Sequence, residues 1–200
     1  MFTALAGSRL YGTFHETSDY DTRTVVKPPL EDILANIPQQ TKHSIHLNQD
    51  VTTIPIQVFL NDLEQGQVQA LETVQALRCG FYAHSYSMNF IKQIIDLPKT
   101  FPTKLYAYCK HIAHQSFRTR KELVQAVRIM LQAQDYLTTK KFDYPLPYSK
   151  GLMLRDEEGL IQDLLQYCKE MPDLETKQTW ATKEEFREAK YNLLKEIYNV

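Results

Sequence analysis

Cysteine is scarce in this sequence: Cys79, Cys109 and Cys168 are odd in number, widely separated and without the spacing of metal ligands. That excludes a disulfide-stapled scaffold and a cysteine zinc site, and the three read as reduced thiols of a cytoplasmic protein. No apolar run approaches the length of a membrane span, and the first residues lead directly into a strand, so neither a membrane segment nor a signal peptide is expected. Neither sign of charge dominates. With 23 Lys and Arg against 24 Asp and Glu, the net charge is -1, which argues against a basic surface that coats nucleic acid but leaves room for a local patch. There is no internal repeat and no low-complexity segment. What is present is a 43% hydrophobic chain of 200 residues, enough to build the core of one large domain or two small ones.

The most informative stretch lies near the start. A small apolar run, Phe2, Ala4, Leu5 and Ala6, ends in Gly7-Ser8, and after a short polar segment the chain returns as a strand carrying Asp19 and Asp21. Residues i and i+2 of a strand share a face, which places the two carboxylates about 7 Å apart at their Cα atoms. Two such carboxylates repel, and a hard divalent cation is the usual remedy. The backbone N–H groups of a Gly-Ser turn and the Ser8 hydroxyl suit phosphate oxygens. A phosphate cradle beside a metal-binding carboxylate pair is a nucleotide site. Taken singly, Gly-Ser and Asp-x-Asp are common turn and strand-end features; the combination at this interval is rarer.

The string Gly7-Ser8-Arg9-Leu10-Tyr11-Gly12-Thr13 with Ser18-Asp19-Tyr20-Asp21 resembles the signature of the DNA polymerase β nucleotidyltransferase superfamily, and within it a branch of bacterial and phage nucleotidyltransferases. The resemblance implies an α+β fold, in which a small mixed sheet with flanking helices is followed by a helical C-terminal part. It implies that Asp19 and Asp21 hold catalytic Mg²⁺ or Mn²⁺ and that Ser8 contacts the triphosphate of an NTP. The superfamily has a helix ahead of the first strand, so that layer is expected to be reduced here, or the start to lie late.

Further along, Thr22 to Val26 continues the strand until Lys27-Pro28-Pro29, and Leu30 to Ile37 has helical spacing. His43, Ser44 and His46 alternate around Ile45 and Leu47 as an edge strand would, which makes the histidines solvated positions rather than a metal pair. A helix is predicted from Thr52 or Thr53, with Pro55 in its first turn, Ile56, Phe59, Leu60 and Leu63 inward and Gly66 as its stop. Val68 to Val74 reads as a strand with Glu72 in an apolar row of Val68, Ala70 and Val74, where a carboxylate requires a cation. The superfamily's third acidic residue lies on a later strand, and Glu72 is the match preferred over Asp50, read as a helix-entry residue, and Asp62, read as exposed. Asp19, Asp21 and Glu72 thus form the expected metal triad.

From Phe81 the pattern turns helical: Ser85 to Leu97, Thr103 to Phe117, Arg120 to Thr138, Glu157 to Met171 ended by Pro172, and a last helix from a Thr182/Glu185 capping box. The expected division is a catalytic domain over 1–80 and a helical domain over 81–200. The third of these helices carries a stripe of Lys121, Gln125, Arg128 and Gln132, either a solvated face or a set in which Lys121 and Arg128 reach the β and γ phosphates. The family branch has Lys and Arg at such spacing, with His at the place of Gln125. Lys110, His111, His114 and Arg118 form a second basic group, read as a solvated face, and Tyr144 to Tyr148 a rigid extended connector.

The resemblance implies transfer of an NMP from an NTP to an acceptor hydroxyl with release of pyrophosphate, with Gly7, Ser8, Arg9, Lys121 and Arg128 on the phosphates. The resemblance leaves the acceptor open among RNA, tRNA, a protein and a small molecule; no membrane partner is expected. Two alternatives stand beside it: a degenerate nucleotide- or partner-binding regulator of the same fold, and a metal-dependent phosphohydrolase.

Overall fold

Gly7 ends the first strand early and Pro28-Pro29 end the second, so the sheet is built from short pieces. The structure, a computed structural model, describes residues 1–12, 14, 16, 18–112, 114–142, 152–174 and 179–199. Thr13 of the motif and the expected connector Tyr144 to Tyr148 lie outside the described residues. The elements are β1 (Phe2–Leu5), α1 (Gly7–Leu10), β2 (Tyr20–Val26), α2 (Leu30–Leu34), β3 (Lys42–His46), β4 (Gln49–Pro55), α3 (Ile56–Glu64), α4 (Val68–Arg78) and β5 (Tyr82–His84). The helices α5 (Met88–Asp96), α6 (Thr103–Ile112), α7 (Arg120–Thr139), α8 (Glu157–Leu174) and α9 (Lys183–Tyr198) follow among the described residues. The chain is α+β, a five-stranded mixed sheet with helices packed on it.

Strand order is β3-β4-β2-β1-β5. β1 runs antiparallel to both β2 and β5, β2 is parallel to β4, and β3 closes the far edge antiparallel to β4. Register places Phe2 opposite Val25, Val25 opposite Ile54 and Ala4 opposite Arg23. Alternation puts these on one face, and Phe2, Ala4, Val25 and Ile54 are buried there. The other face carries Thr3, Thr22, Thr24, Val51 and Thr53, and is only partly buried. One face of the sheet therefore carries the core.

Helices α3 and α4 lie against that face through Ile56, Phe59, Leu60, Ala70, Leu71 and Val74, and the apolar cluster continues into α5 to α9 as far as Ile197. The expected edge strand is β3, and β5, beyond residue 80, supplies the other edge. The expected capping box of Thr182 and Glu185 opens α9; Ser87 caps α5, and Thr119 with Glu122 forms a second capping box on α7.

Three sequence readings are corrected. Val68 to Val74 is not a strand but the first part of α4, because Ala70, Leu71, Val74 and Leu77 also fit a 3.6-residue period and the helix is buried over Ala70 to Leu77. The segment read as a helix start at Thr52 or Thr53 is the second half of β4; its β-branched run stays extended until Pro55, and α3 begins at Ile56. The helix read as ending at Pro172 continues to Leu174.

Candidate active site

The site is assembled where β1 ends and β2 begins. The Ala6 N–H donates to the Asp21 carbonyl at 2.9 Å, which brings the next residue, Gly7, directly against the Asp21 side chain. Gly7 has φ +59°, and a Cβ built on it would stand 1.8 Å from Asp21 Oδ2. Only glycine fits a left-handed turn this close to a carboxylate. Asp19 lies just ahead of β2 and is exposed, while Asp21 is half-buried on the helix-covered face.

The neighbouring strand supplies the third acid. Parallel pairing sets Asp50 of β4 opposite Asp21, a strand spacing of about 4.8 Å away. Asp50 Oδ1 is buried and has no hydrogen-bond partner among the described residues. Asp50 was read from the sequence as a helix-entry residue. The signal that identifies it is the alternation Asp50, Thr52, Ile54 with Val51 and Thr53, a strand pattern obscured by the capping residues and Pro55.

These carboxylates repel one another. Asp21 is held above the ordinary carboxylate range, by desolvation first and then by the charges of Asp50 and Asp19, with Arg23 and Lys121 pulling the other way. The folded state binds this proton more tightly than the unfolded chain, so the stability contributed by Asp21 is full at low pH and declines as pH rises through the raised value. Asp21→Asn is therefore expected to raise the unfolding free energy at pH 7 in metal-free buffer by about 0.5–1 kcal/mol for so accessible a group, read as a higher urea midpoint. At pH 3 the two midpoints should converge. A lower midpoint for the variant at pH 7 contradicts the repulsion.

Glu72 sits elsewhere in this picture. From α4 its carboxylate meets Arg23 Nη2 at 2.9 Å and Arg128 Nη1 at 3.0 Å, with all three side chains nearly buried. Burial by itself would raise the Glu72 carboxyl, and Arg23 and then Arg128 bring it down to about 2. The cation that a buried carboxylate requires is here a pair of guanidinium groups, so Glu72 leaves the metal set expected for it.

Arg128 is corrected as well. It does not face phosphates: it donates to Glu72 and to Gln132 Oε1 at 2.9 Å, and its guanidinium lies 3.7 Å from the centroid of the buried Tyr11 ring. Gln132 Nε2 in turn donates to Gln75 Oε1 at 3.3 Å. Half of the α7 stripe is thus an internal network rather than a solvated face. The other half stays open, since Lys121 and Gln125 are exposed, and Lys121 is near enough to Asp21 for its charge to act there.

Arg9 clamps the connection into β2. Its guanidinium donates to the Ser18 and Asp19 carbonyls at 2.9 and 3.2 Å and stacks on Tyr20 at 3.9 Å, with Phe14 at 4.9 Å. Arg23 holds a bridging place: two residues along β2 from Asp21, it also donates to the Gln69 carbonyl at 3.1 Å. Lys110, His111 and His114 are exposed, as is Arg118's neighbourhood at the start of α7.

A divalent cation fits the aspartates. Asp50 Oδ1 lacks a partner among the described residues, Asp21 is raised by desolvation and then by its acidic neighbours, and the Gly7 backbone stands directly against the Asp21 carboxylate. Among the described residues no group of three or more His, Cys, Asp or Glu side chains is arranged to hold a metal ion by itself. No helix among the described residues is long and apolar enough to cross a membrane. No family model matches the chain, no curated protein matches its sequence and no solved structure matches its fold.

Proposed function

We propose that the chain is a nucleotidyltransferase of the polymerase β type, which moves an NMP from an NTP to an acceptor hydroxyl and releases pyrophosphate. The observation that supports this reading most is the union of Gly7 with Asp21 and Asp50: a left-handed glycine turn packed on one of two carboxylates paired across parallel strands. The turn offers backbone N–H groups and Ser8 to phosphate oxygens, and the aspartates receive the charge that accompanies them. Mg²⁺ or Mn²⁺ held by Asp19, Asp21 and Asp50 would supply Lewis-acid neutralisation of the phosphates.

The residues around the aspartates position rather than react. Lys121 adds positive charge at the rim, and Arg9 holds the backbone on either side of Asp19 without reaching outward. Asp50, unpartnered at Oδ1 among the described residues, would take the third acidic position expected of Glu72 and accept the proton of an acceptor hydroxyl. The acceptor belongs to RNA, tRNA, a protein or a small molecule.

The test is incubation with each α-labelled NTP and Mg²⁺ over total RNA, tRNA and cell lysate. Native protein is expected to transfer label, and Asp21→Asn and Asp50→Asn each to reduce it by about 10³-fold or more, the scale for removing an essential carboxylate. Full transfer by Asp50→Asn with loss in Glu72→Gln would return the third position to Glu72. Nucleotide binding without transfer would establish a regulator instead, and NMP formed without any linked product a phosphohydrolase.

A further inference from the structure

One buried chain of contacts ties the Gly7-Ser8 turn and the strand of Asp21 to the helices that follow the sheet. It begins at α1, a single turn of four residues that is too short to hold a direction by itself. Where α1 points is set by what its end packs against. Leu10 and Tyr11, which follow Gly7 and Ser8 within one turn, are both 2% exposed, and the Arg128 guanidinium lies 3.7 Å from the centroid of the Tyr11 ring.

Arg128 is itself fixed by more than the ring. Its Nη1 donates to Glu72 Oε1 at 3.0 Å and to Gln132 Oε1 at 2.9 Å. Gln132 is held in turn by Gln75, and the other Glu72 oxygen by Arg23. Arg23 stands two residues along β2 from Asp21, on the same face of the sheet. Contacts thus run unbroken from the strand of Asp21 through α4 and α7 to the end of α1. The two halves of the candidate site are referred to each other by a side chain of α7.

We infer that Arg128, acting through Tyr11, is a positioning residue that sets the Gly7-Ser8 turn against Asp21 and Asp50 for a metal-bound triphosphate. It touches no substrate. The aspartates are placed by the register of β2 with β4, whereas the turn is placed by what its short helix rests on. A site whose reacting groups all lie within residues 1–80 therefore draws on α7. The inference rests on the nucleotidyl-transfer reading for the nature of the ligand.

The probe is magnesium tripolyphosphate, which presents the phosphates without a base, titrated calorimetrically into the full chain. Arg128→Lys keeps the charge but loses the flat, forked group that meets the ring and both acceptors. Tyr11→Leu removes the ring and leaves both ion pairs, so it carries the test where Arg128→Lys lowers the folded fraction too far. Each is expected to weaken binding at least tenfold, and Tyr11→Phe, which keeps the ring, less than threefold. The double variant is expected to lose little beyond either single one, because the two residues act in series. For transfer from an NTP, kcat/KM should fall in the same order, by about 10²-fold in the first two, the scale of a displacement of about 1 Å.

Circular dichroism gives the folded fraction of each variant at the assay temperature. A purely stabilising role would cost binding only in proportion to that fraction, whereas a displaced turn weakens binding per folded molecule. Native affinity per folded molecule in Arg128→Lys and Tyr11→Leu, an equal loss in Tyr11→Phe, or fully additive losses overturn the inference. Binding that follows the variants, without transfer by the native chain, keeps the positioning role and removes the transferase. Transfer indifferent to the variants does the reverse, and a native chain that binds no tripolyphosphate overturns both.

Discussion

Glu72→Ala is expected to lower stability by about 3–5 kcal/mol, because it leaves Arg23 and Arg128 as buried cations without their shared counter-charge. Set against the 5–15 kcal/mol typical of a folded domain, that loss brings the chain close to unfolding at 37 °C. Urea denaturation followed by circular dichroism measures it. A triple variant, Arg23→Met with Glu72→Leu and Arg128→Met, is expected to recover most of the loss, since well-packed apolar groups replace a buried ion cluster at little cost. A Glu72→Ala protein as stable as the native chain would show that the triad is solvated.

The same carboxylate carries a pH dependence. Glu72 titrates at about 2 in the folded state against an ordinary value of 4.5, so its contribution is present above the unfolded value and is lost as pH falls through the folded one. The stability gap between native protein and Glu72→Gln is expected to be constant from pH 7 to about pH 5. It should then close between 4.5 and 2. Asp21 works in the opposite sense, and Asp21→Asn in the background removes its part.

Gly7→Ala is expected to abolish transfer while leaving most of the fold. The left-handed backbone at φ +59° costs a residue with a Cβ about 1–2 kcal/mol. The greater effect is steric. The new methyl would overlap Asp21 Oδ2 and approach Asp21 Cβ to 2.9 Å, and β2 is fixed by register to β1 and β4, so the carboxylate must turn away from Asp50. A displacement of about 1 Å costs on the order of 10²-fold in rate, and loss of the shared charge site adds to it. The expected outcome is a folded protein with a melting midpoint within a few degrees of native and a transfer rate at least 10²-fold lower. Native-like transfer by Gly7→Ala would detach the Gly7 turn from the chemistry.

How far each feature could be read depended on how local it is. Gly7, Asp19 and Asp21 lie within fifteen residues, and a turn followed by strand alternation is enough to put them together. Asp50 becomes part of the site only through the parallel register of β2 with β4, which neither segment encodes by itself. Glu72 is the reverse case. Its row of Val68, Ala70 and Val74 satisfies the period of a strand, while Leu71, Val74 and Leu77 satisfy that of a helix, and burial on all sides removed the polar face that separates the two. The need for a counter-charge was legible; its identity was not, because Arg23 and Arg128 stand 49 and 56 residues away. The stripe on α7 was visible as a spacing, but which half faces solvent depended on where α4 and Tyr11 pack.

The sequence by itself determined the capping box at Thr182 and Glu185, the edge strand β3 and the Gly7-Ser8 turn with its nearby aspartates, since each follows from contacts within a few residues, while the α+β class came from the resemblance carried by that turn. Only the tertiary structure decided that Asp50 faces Asp21, that Glu72 is held by two arginines and that Arg128 lies against Tyr11. Those outcomes depend on strand register and helix packing, where residues distant in the chain share one low-dielectric space and the strongest available charge pairing wins.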